Sequence, residues 1–335
     1  MFPLRDENPH PPGFKPKVTY ALIIINVVVF FIQVAYTGQF FEFTMVDQSQ
    51  IYPNTINMFF NWGAVPNCIT GATSSMIDFG AGPVTLSCPS APYISLISSI
   101  FMHGGLLHLG GNLLFLWIFG DNIEQKFGKI KYLGIYLMWG ITAGLIHIFG
   151  DAGSIAPAVG ASGAISGVLG AYLIIFPRAR IQTFMILGFF WRMMHIQARW
   201  FLPFWLVFQN LLPFFVGGFG VAGGGVAYLA HIGGFAIGLA TGYIYKKTHS
   251  SDFTYGTRYG YRQDYWKHKS PNLFEILMPL ITVSMYPGRS QEQKDEYAKA
   301  ITKAAVDILK TKENHVIVVF EDNPRENWFL AGNQL

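Results

Sequence analysis

Two short runs in this 335-residue chain carry residue types capable of acyl-transfer chemistry. Gly160-Ala161-Ser162-Gly163 opens one apolar stretch, and Ala230-His231-Ile232-Gly233-Gly234 opens another. A serine hydroxyl becomes a nucleophile when a histidine within about 3 Å takes its proton, so Ser162 and His231 form a candidate pair. A third run extends from His103-Gly104-Gly105 to His108 and Asn112. At about 100° per residue His108 and Asn112 lie about 40° apart on one helix face, whereas His103 lies about 140° from His108. Two N–H donors on one face, with the backbone N–H of Ser162, can hold the oxyanion of a tetrahedral intermediate. Taken singly, the same residues read as packing glycines, a helix-capping serine and interior histidines. A metal site for three histidines is the weaker alternative, because no H-E-x-x-H pattern or carboxylate stands in that layer, and no cofactor is expected.

The elements that must position these groups are spans. The chain is 51% hydrophobic and 13% charged, against about 25% charged in soluble domains. Its apolar residues gather into six uncharged runs, 18–36, 93–120, 132–149, 158–176, 200–216 and 226–245. Each approaches the roughly 20 residues that cross hydrocarbon as a helix. The first run is too long for a cleaved signal and lacks a small-residue cleavage site, so it is expected to remain as an anchor.

Lys15, Lys17, Lys126, Lys129, Lys131, Arg178, Arg180, Arg192, Arg199, Lys246 and Lys247 all fall on one side of these runs. The opposite loops, 37–92, 150–157 and 217–225, contain no lysine or arginine. That asymmetry predicts both termini on the cytoplasmic side. The runs bearing His108, Ser162 and His231 then all descend from outside, which puts the polar groups in one layer near the outer face.

Gly160 and Gly163 flank the serine, and Gly234, Gly238 and Gly242 recur every four residues, a small-residue face along which helices approach closely. Residues 181–191 are too short to span and are expected along the inner surface. The long outer loop holds Cys68 and Cys88. They are either two buried thiols or a bridge contributing roughly 3 kcal/mol in the chain-entropy model. No basic cluster interleaved with aromatics points to nucleic acid.

The three motifs, in this order on six spans, resemble the rhomboid family of intramembrane serine proteases over residues 15–247. The resemblance implies Ser162 as nucleophile, His231 as general base, and His108 with Asn112 and the Ser162 backbone as oxyanion hole. It also implies that His103 steadies the outer loop. Glu124 and Gly128 resemble a structural turn of the family, or are ordinary inner-loop residues. Where many members place an aromatic one turn below the nucleophile, this chain has Ser166, so other groups must hold the base. Ser166 itself is expected to bond a backbone carbonyl, as serine does in apolar helices.

After residue 247 the chain is polar to about residue 272 and then changes grammar. Residues 281–285 read as a strand, Ser290 to Gln293 as a capping box opening a helix to about Leu309, and residues 316–320 as a second strand. Residues 278–335 are similar to the 4-oxalocrotonate tautomerase family. That likeness implies Pro279 as the base, Arg289 as a carboxylate binder and Trp328 at the apolar wall, while a second arginine of some members falls on Ile317. Inside a chain the Pro279 nitrogen is an amide without a basic lone pair. A structural or assembly role is therefore favoured over a tautomerase released by cleavage. A β-α-β unit of this size is expected to dock or oligomerise.

The expected fold is an all-α polytopic membrane protein, a six-helix bundle followed by a small β-α-β module. Its parts are a cytoplasmic tail (1–17), the protease domain (18–247), a linker (248–277) and the module (278–335). The expected activity is endoproteolysis of transmembrane proteins in a prokaryotic plasma membrane, with lipid and substrate as partners. An inactive relative that binds membrane proteins is the alternative. A transporter is disfavoured because none of the six runs carries a charge.

Overall fold

Helix α1 (Lys17–Thr37) has the polarity of a helix built for lipid. Its buried stripe is Thr19, Leu22, Asn26, Phe30 and Gln33, three of them polar, while Ile24, Ile25, Val28, Phe31 and Ile32 face outward. Only in hydrocarbon do polar side chains belong inside and apolar ones outside. The computed structural model describes residues 2–8, 10–11, 13–43, 45–47, 50–78, 83–187, 190–217, 227–249, 280–323, 329–330 and 333–334. The chain divides into two units, Met1–Tyr265 and Trp266–Leu335.

The first unit opens with strand β1 (Phe2–Asp6) and α1. Between α1 and the next long helix lie the hairpins β2 (Val46–Asp47) with β3 (Gln50–Ile51) and β4 (Ser74–Asp78) with β5 (Pro83–Ser87). The same stretch forms the short helices α2 (Pro53–Trp62), α3 (Pro66–Ile69) and α4 (Ser95–Ser98). Then follow α5 (Leu106–Phe127), α6 (Lys129–Gly150) and α7 (Ser162–Ile175). Strands β6 (Arg180–Leu187) and β7 (Phe190–Gln197) form a hairpin. Helices α8 (Ala198–Leu206) and α9 (Leu212–Gly217) are joined through a π-helical turn, Val207–Leu211, and α10 (Tyr228–Thr248) closes the unit. By length and composition α1, α5 and α6 can cross a membrane.

Three sequence expectations are corrected. The run 93–120 is not one helix: a helical stretch ends at Phe101, and α5 starts at Leu106. The Gln33 side chain satisfies both backbone groups of His103, accepting from its N–H at 3.0 Å and donating to its carbonyl at 3.0 Å. The Gly104 carbonyl and Leu106 N–H bond to Phe43 and Phe41. With its backbone paired elsewhere, the segment has no need of a helix. Residues 181–191 belong to the β6–β7 hairpin, and β1 adds to it as a third antiparallel strand. The first unit is therefore not all-α, and residues 2–6 are a docked strand rather than a tail. The run 226–245 is described from residue 227 onward, and the loop 217–225 and linker 248–277 lie largely outside the described residues.

Two devices fix the outer loop and the basic end. Cys68 and Cys88 form a disulfide, with Cα atoms 5.5 Å apart. Glu124, 1% exposed, accepts from the Val18 N–H at 3.1 Å, the Thr19 N–H at 2.8 Å and the Thr19 hydroxyl at 2.9 Å. An anionic group on the orphan donors of the α1 N-terminus stabilises both helices. Gly128, with φ +76°, makes the reversal from α5 to α6. Both residues are structural.

In the second unit β8 (Leu280–Met285) and β9 (Ile317–Asp322) pair in parallel around α11 (Gln291–Leu309). The Ser290–Gln293 capping box forms as read from the sequence. A short hairpin, Phe329–Leu330 with Asn333–Gln334, follows.

The β1 strand is clasped by polar groups at the ends of α5 and α7. Asp6 accepts from the Tyr172 hydroxyl at 2.7 Å, Asn122 Nδ2 at 2.8 Å and Asn8 Nδ2 at 2.9 Å. His10 sits between two acceptors, Asp121 and Gln125, each at 2.8 Å, which suits the doubly protonated ring. Burial, with added repulsion from Asp121, pushes the Asp6 carboxyl up to about 6 against the Tyr172 hydrogen bond. The hydrogen bond to Asp121 raises His10 despite burial. Both groups hold their protons more tightly docked than free, so docking is favoured in acid and weakens as pH rises through about 6 and beyond. Hydrogen exchange of residues 2–8, corrected for intrinsic rate, should show protection falling between pH 5 and 8; constant or rising protection would contradict the clasp.

Candidate active site

Ser162 is the first residue of α7. The preceding segment is extended rather than helical, because Ala158 pairs with Ala64 in a bridge and the Gly160 N–H donates to the Ser99 carbonyl at 2.8 Å. The expected helical start at residue 158 is thereby corrected. Fourteen residues of helix span about 21 Å at 1.5 Å each, short of the roughly 30 Å of hydrocarbon. The helix start leaves the Ser162 backbone N–H without an intrahelical partner, at the positive end of the dipole.

His108 and Asn112 stand on one face of α5, as their spacing predicts. The Gly104 N–H donates to His108 Nδ1 at 3.2 Å, so the ring hydrogen resides on Nε2. That nitrogen lies against Gly160: a Cβ added there would sit 2.8 Å from His108 Nε2 and 3.5 Å from Ser162 Oγ. The imidazole donor and the serine oxygen therefore flank one point. Gly160 has φ +128° as well, so only glycine suits both the backbone and the space. Asn112 is 8% exposed and its Nδ2 has no partner, a donor left ready for an acceptor. His103 is fully buried, its ring 5.3 Å from that of His108. Its backbone bonds to Gln33 tie the segment to α1.

His231 enters on the first turn of α10. Its Nδ1 donates to Asn210 Oδ1 at 2.6 Å. Trp205 of α8 lies over the ring with centroids 6.3 Å apart. Ser166 was expected to bond a backbone carbonyl, but its buried hydroxyl has no partner. A cavity of about 40 Å³ lies beside Ser162, with Ser99, His147 and Ala230 in its lining. That is more than the roughly 10–15 Å³ one water needs.

Helices α7 and α10 meet through glycine. A Cβ on Gly234 would strike the Gly163 carbonyl, one on Gly238 the Gly167 carbonyl, and one on Gly170 the Phe235 carbonyl. On the other side of α7, Gly163 meets Ala143 and Gly167 meets Trp139 of α6. At the top of this seam the residue after Ser162 adjoins the residue before His231: a Cβ on Gly163 would stand 3.8 Å from that of Ala230.

Residues 91–248 match the family described as Rhomboid domain. The chain carries a rhomboid domain. Residues 279–335 match a second family, Tautomerase enzyme. Rhomboid protein 1, mitochondrial, of Saccharomyces cerevisiae is 29% identical over 162 residues, 46% of this chain and 42% of that protein. Rhomboid protease GluP of Bacillus subtilis is 38% identical over 104 residues, 31% of this chain and 20% of that protein. The chain spans less than half the length of these curated relatives. The crystal structure of TomN, a 4-oxalocrotonate tautomerase homologue in the tomaymycin biosynthetic pathway, aligns at 38% identity over 17% of this chain and 86% of that chain, with a TM-score of 0.16.

The rhomboid match encloses all three motifs. In the tautomerase match Arg289 is exposed, while Pro279 and Trp328 lie outside the described residues. Sequence reasoning missed Asn210, although Gln209-Asn210 is a polar pair inside an otherwise apolar run, the usual mark of a functional intramembrane position. Gln33 was missed for the same reason.

Because a Cβ at 238 meets backbone, Gly238→Val must part α7 from α10. Overpacking of this kind destabilises by roughly 1–3 kcal/mol. Thermal unfolding of the detergent-solubilised chain should shift down accordingly, and an unchanged midpoint would contradict the backbone contact.

Proposed function

We propose that this chain is an intramembrane serine endopeptidase, a six-span rhomboid bundle that cuts other membrane proteins in or beside a transmembrane segment. The observation that carries this reading is the convergence of His108 Nε2–H and Ser162 Oγ on Gly160, at the start of a helix shorter than the full hydrocarbon thickness. A packing serine has no need of a donor aimed at that point. The basic end faces the cytoplasm of a prokaryotic plasma membrane in this reading, which puts both termini there.

In the reaction Ser162 Oγ attacks the scissile carbonyl carbon as His231 Nε2 takes its proton. The oxyanion is held by His108 Nε2–H, Asn112 Nδ2–H and the Ser162 N–H. Collapse breaks the C–N bond, and His231 returns the proton to the leaving amine. A water then attacks the acyl-serine ester, giving its proton to His231, and the acid leaves with Oγ reprotonated. The cavity beside Ser162 has room for that water. No cofactor is required.

The C-terminal module supports assembly. One face of its two-stranded sheet packs on α11, with Tyr297 and Phe320 ring centroids 6.2 Å apart. The other leaves Ile317 and Val319 exposed. A second copy of the module is the proposed cover, as for a unit too small to bury its own sheet.

Cleavage of a single-span model substrate should be abolished by Ser162→Ala and by His231→Ala, with membrane insertion intact, because such residues act as a unit. His108→Ala and Asn112→Ala should each lower kcat roughly 10²-fold or more, with little change in KM. Near-normal turnover in either of the first two variants would overturn the Ser162–His231 assignment, whereas absence of cleavage by the native chain would favour an inactive membrane-protein binder. For the module, the intact chain should not ketonise 2-hydroxymuconate, because Pro279 is acylated by Met278; activity there would overturn the assembly role.

A further inference from the structure

The general base in this reading needs one ring nitrogen free and the ring held still, yet the helix that carries Ser162 offers it no aromatic support. Ser166 occupies the position one turn below the nucleophile, and its hydroxyl is unpaired. Support comes from the opposite side. Asn210, 1% exposed, stands in the π-helical turn Val207–Leu211. Its Nδ2 donates to the Trp205 carbonyl at 3.3 Å, which leaves Oδ1 as the acceptor toward His231 Nδ1 at 2.6 Å.

We propose that Asn210 is a positioning residue that fixes the tautomer of His231, so that the site works with a serine, a histidine and an asparagine. The proposal rests on the proteolytic reading. An amide oxygen only accepts, so it demands hydrogen on Nδ1 and leaves the Nε2 lone pair for the serine proton. His108 and His147 are the other imidazoles close enough to be felt by this ring, and neither bonds to its Nδ1.

The local fold is shaped around the contact. Pro213 lacks the N–H that would bond the Gln209 carbonyl, which removes an α-helical hydrogen bond at this turn. The wider turn takes its place, with the Leu212 N–H donating to the Val207 carbonyl. Single π-turns inside α-helices often accompany functional positions. Trp205, one turn back, packs beside both His231 and Phe235, so its carbonyl orients the amide while its ring confines the imidazole.

Solid-state ¹⁵N NMR of the full histidine-labelled chain in lipid reads which ring nitrogen bears hydrogen, with the His231 signal identified by its loss in His231→Gln. The native chain should show His231 with hydrogen on Nδ1, and Asn210→Ala should move a substantial share to Nε2. Asn210→Ala should also lower kcat at least roughly tenfold, part of the ~10²–10⁴ that a placed base contributes, with KM within about twofold. Asn210→Asp keeps an acceptor and should restore Nδ1 protonation and most of the kcat, which a purely packing role would not require. Hydrogen on Nε2 in the native chain, or an Asp variant no better than Ala in both readouts, would overturn the proposal. Failure of the native chain to cleave any model substrate would overturn the proteolytic reading instead, leaving the tautomer measurement to judge Asn210 by itself.

Discussion

The backbone contact between α7 and α10 is the constraint on which the rest of the first unit depends. The Gly163 and Gly167 carbonyls lie against Gly234 and Gly238, and Gly170 against the Phe235 carbonyl, so closely that a Cβ on Gly170, Gly234 or Gly238 would meet backbone. In lipid no hydrophobic effect presses helices together, and close packing of small residues supplies the attraction instead. Because each side of the seam is main chain, neither helix can slide or rotate without loss of contact. The height of Ser162 relative to His231 is thereby set by the main chain rather than by side-chain fit.

The remaining elements serve that seam. Helix α6 closes its other side with Ala143 and Trp139. Glu124 anchors α1 to α5, and Gln33 anchors α1 to the His103 backbone, which carries the start of α5 and hence His108 to the level of Ser162. The pairing of Ala158 with Ala64 and of the Gly160 N–H with the Ser99 carbonyl keeps this segment out of α7, so that the helix begins at Ser162. The starting point of α7 thus comes from backbone hydrogen bonds that have no signature in side-chain chemistry.

That division explains what was legible in the sequence. Side-chain types at helical spacing put His108 and Asn112 on one face, marked the glycine seam and gave the β-α-β order of the second unit down to its capping box. The break at 102–105 inside the run 93–120 was not legible, because Gln33, far away in sequence, supplies the bonds that hold the His103 backbone. The β6–β7 hairpin was missed because a short apolar run looks alike as strand or surface segment, and its third strand comes from residues 2–6. Asn210 was legible only as a polar residue in an apolar run, since nothing local in the sequence tells that the turn carrying it lies against His231.

Labelling by a fluorophosphonate probe in native-like lipid, mapped by mass spectrometry, tests the central claim most directly, because only an activated serine reacts. The account predicts a single adduct on Ser162 that vanishes in Ser162→Ala and falls by roughly the 10²-fold or more that a positioned base contributes in His231→Ala. Equal labelling of Ser162 with and without His231, or none in the folded chain, would contradict it.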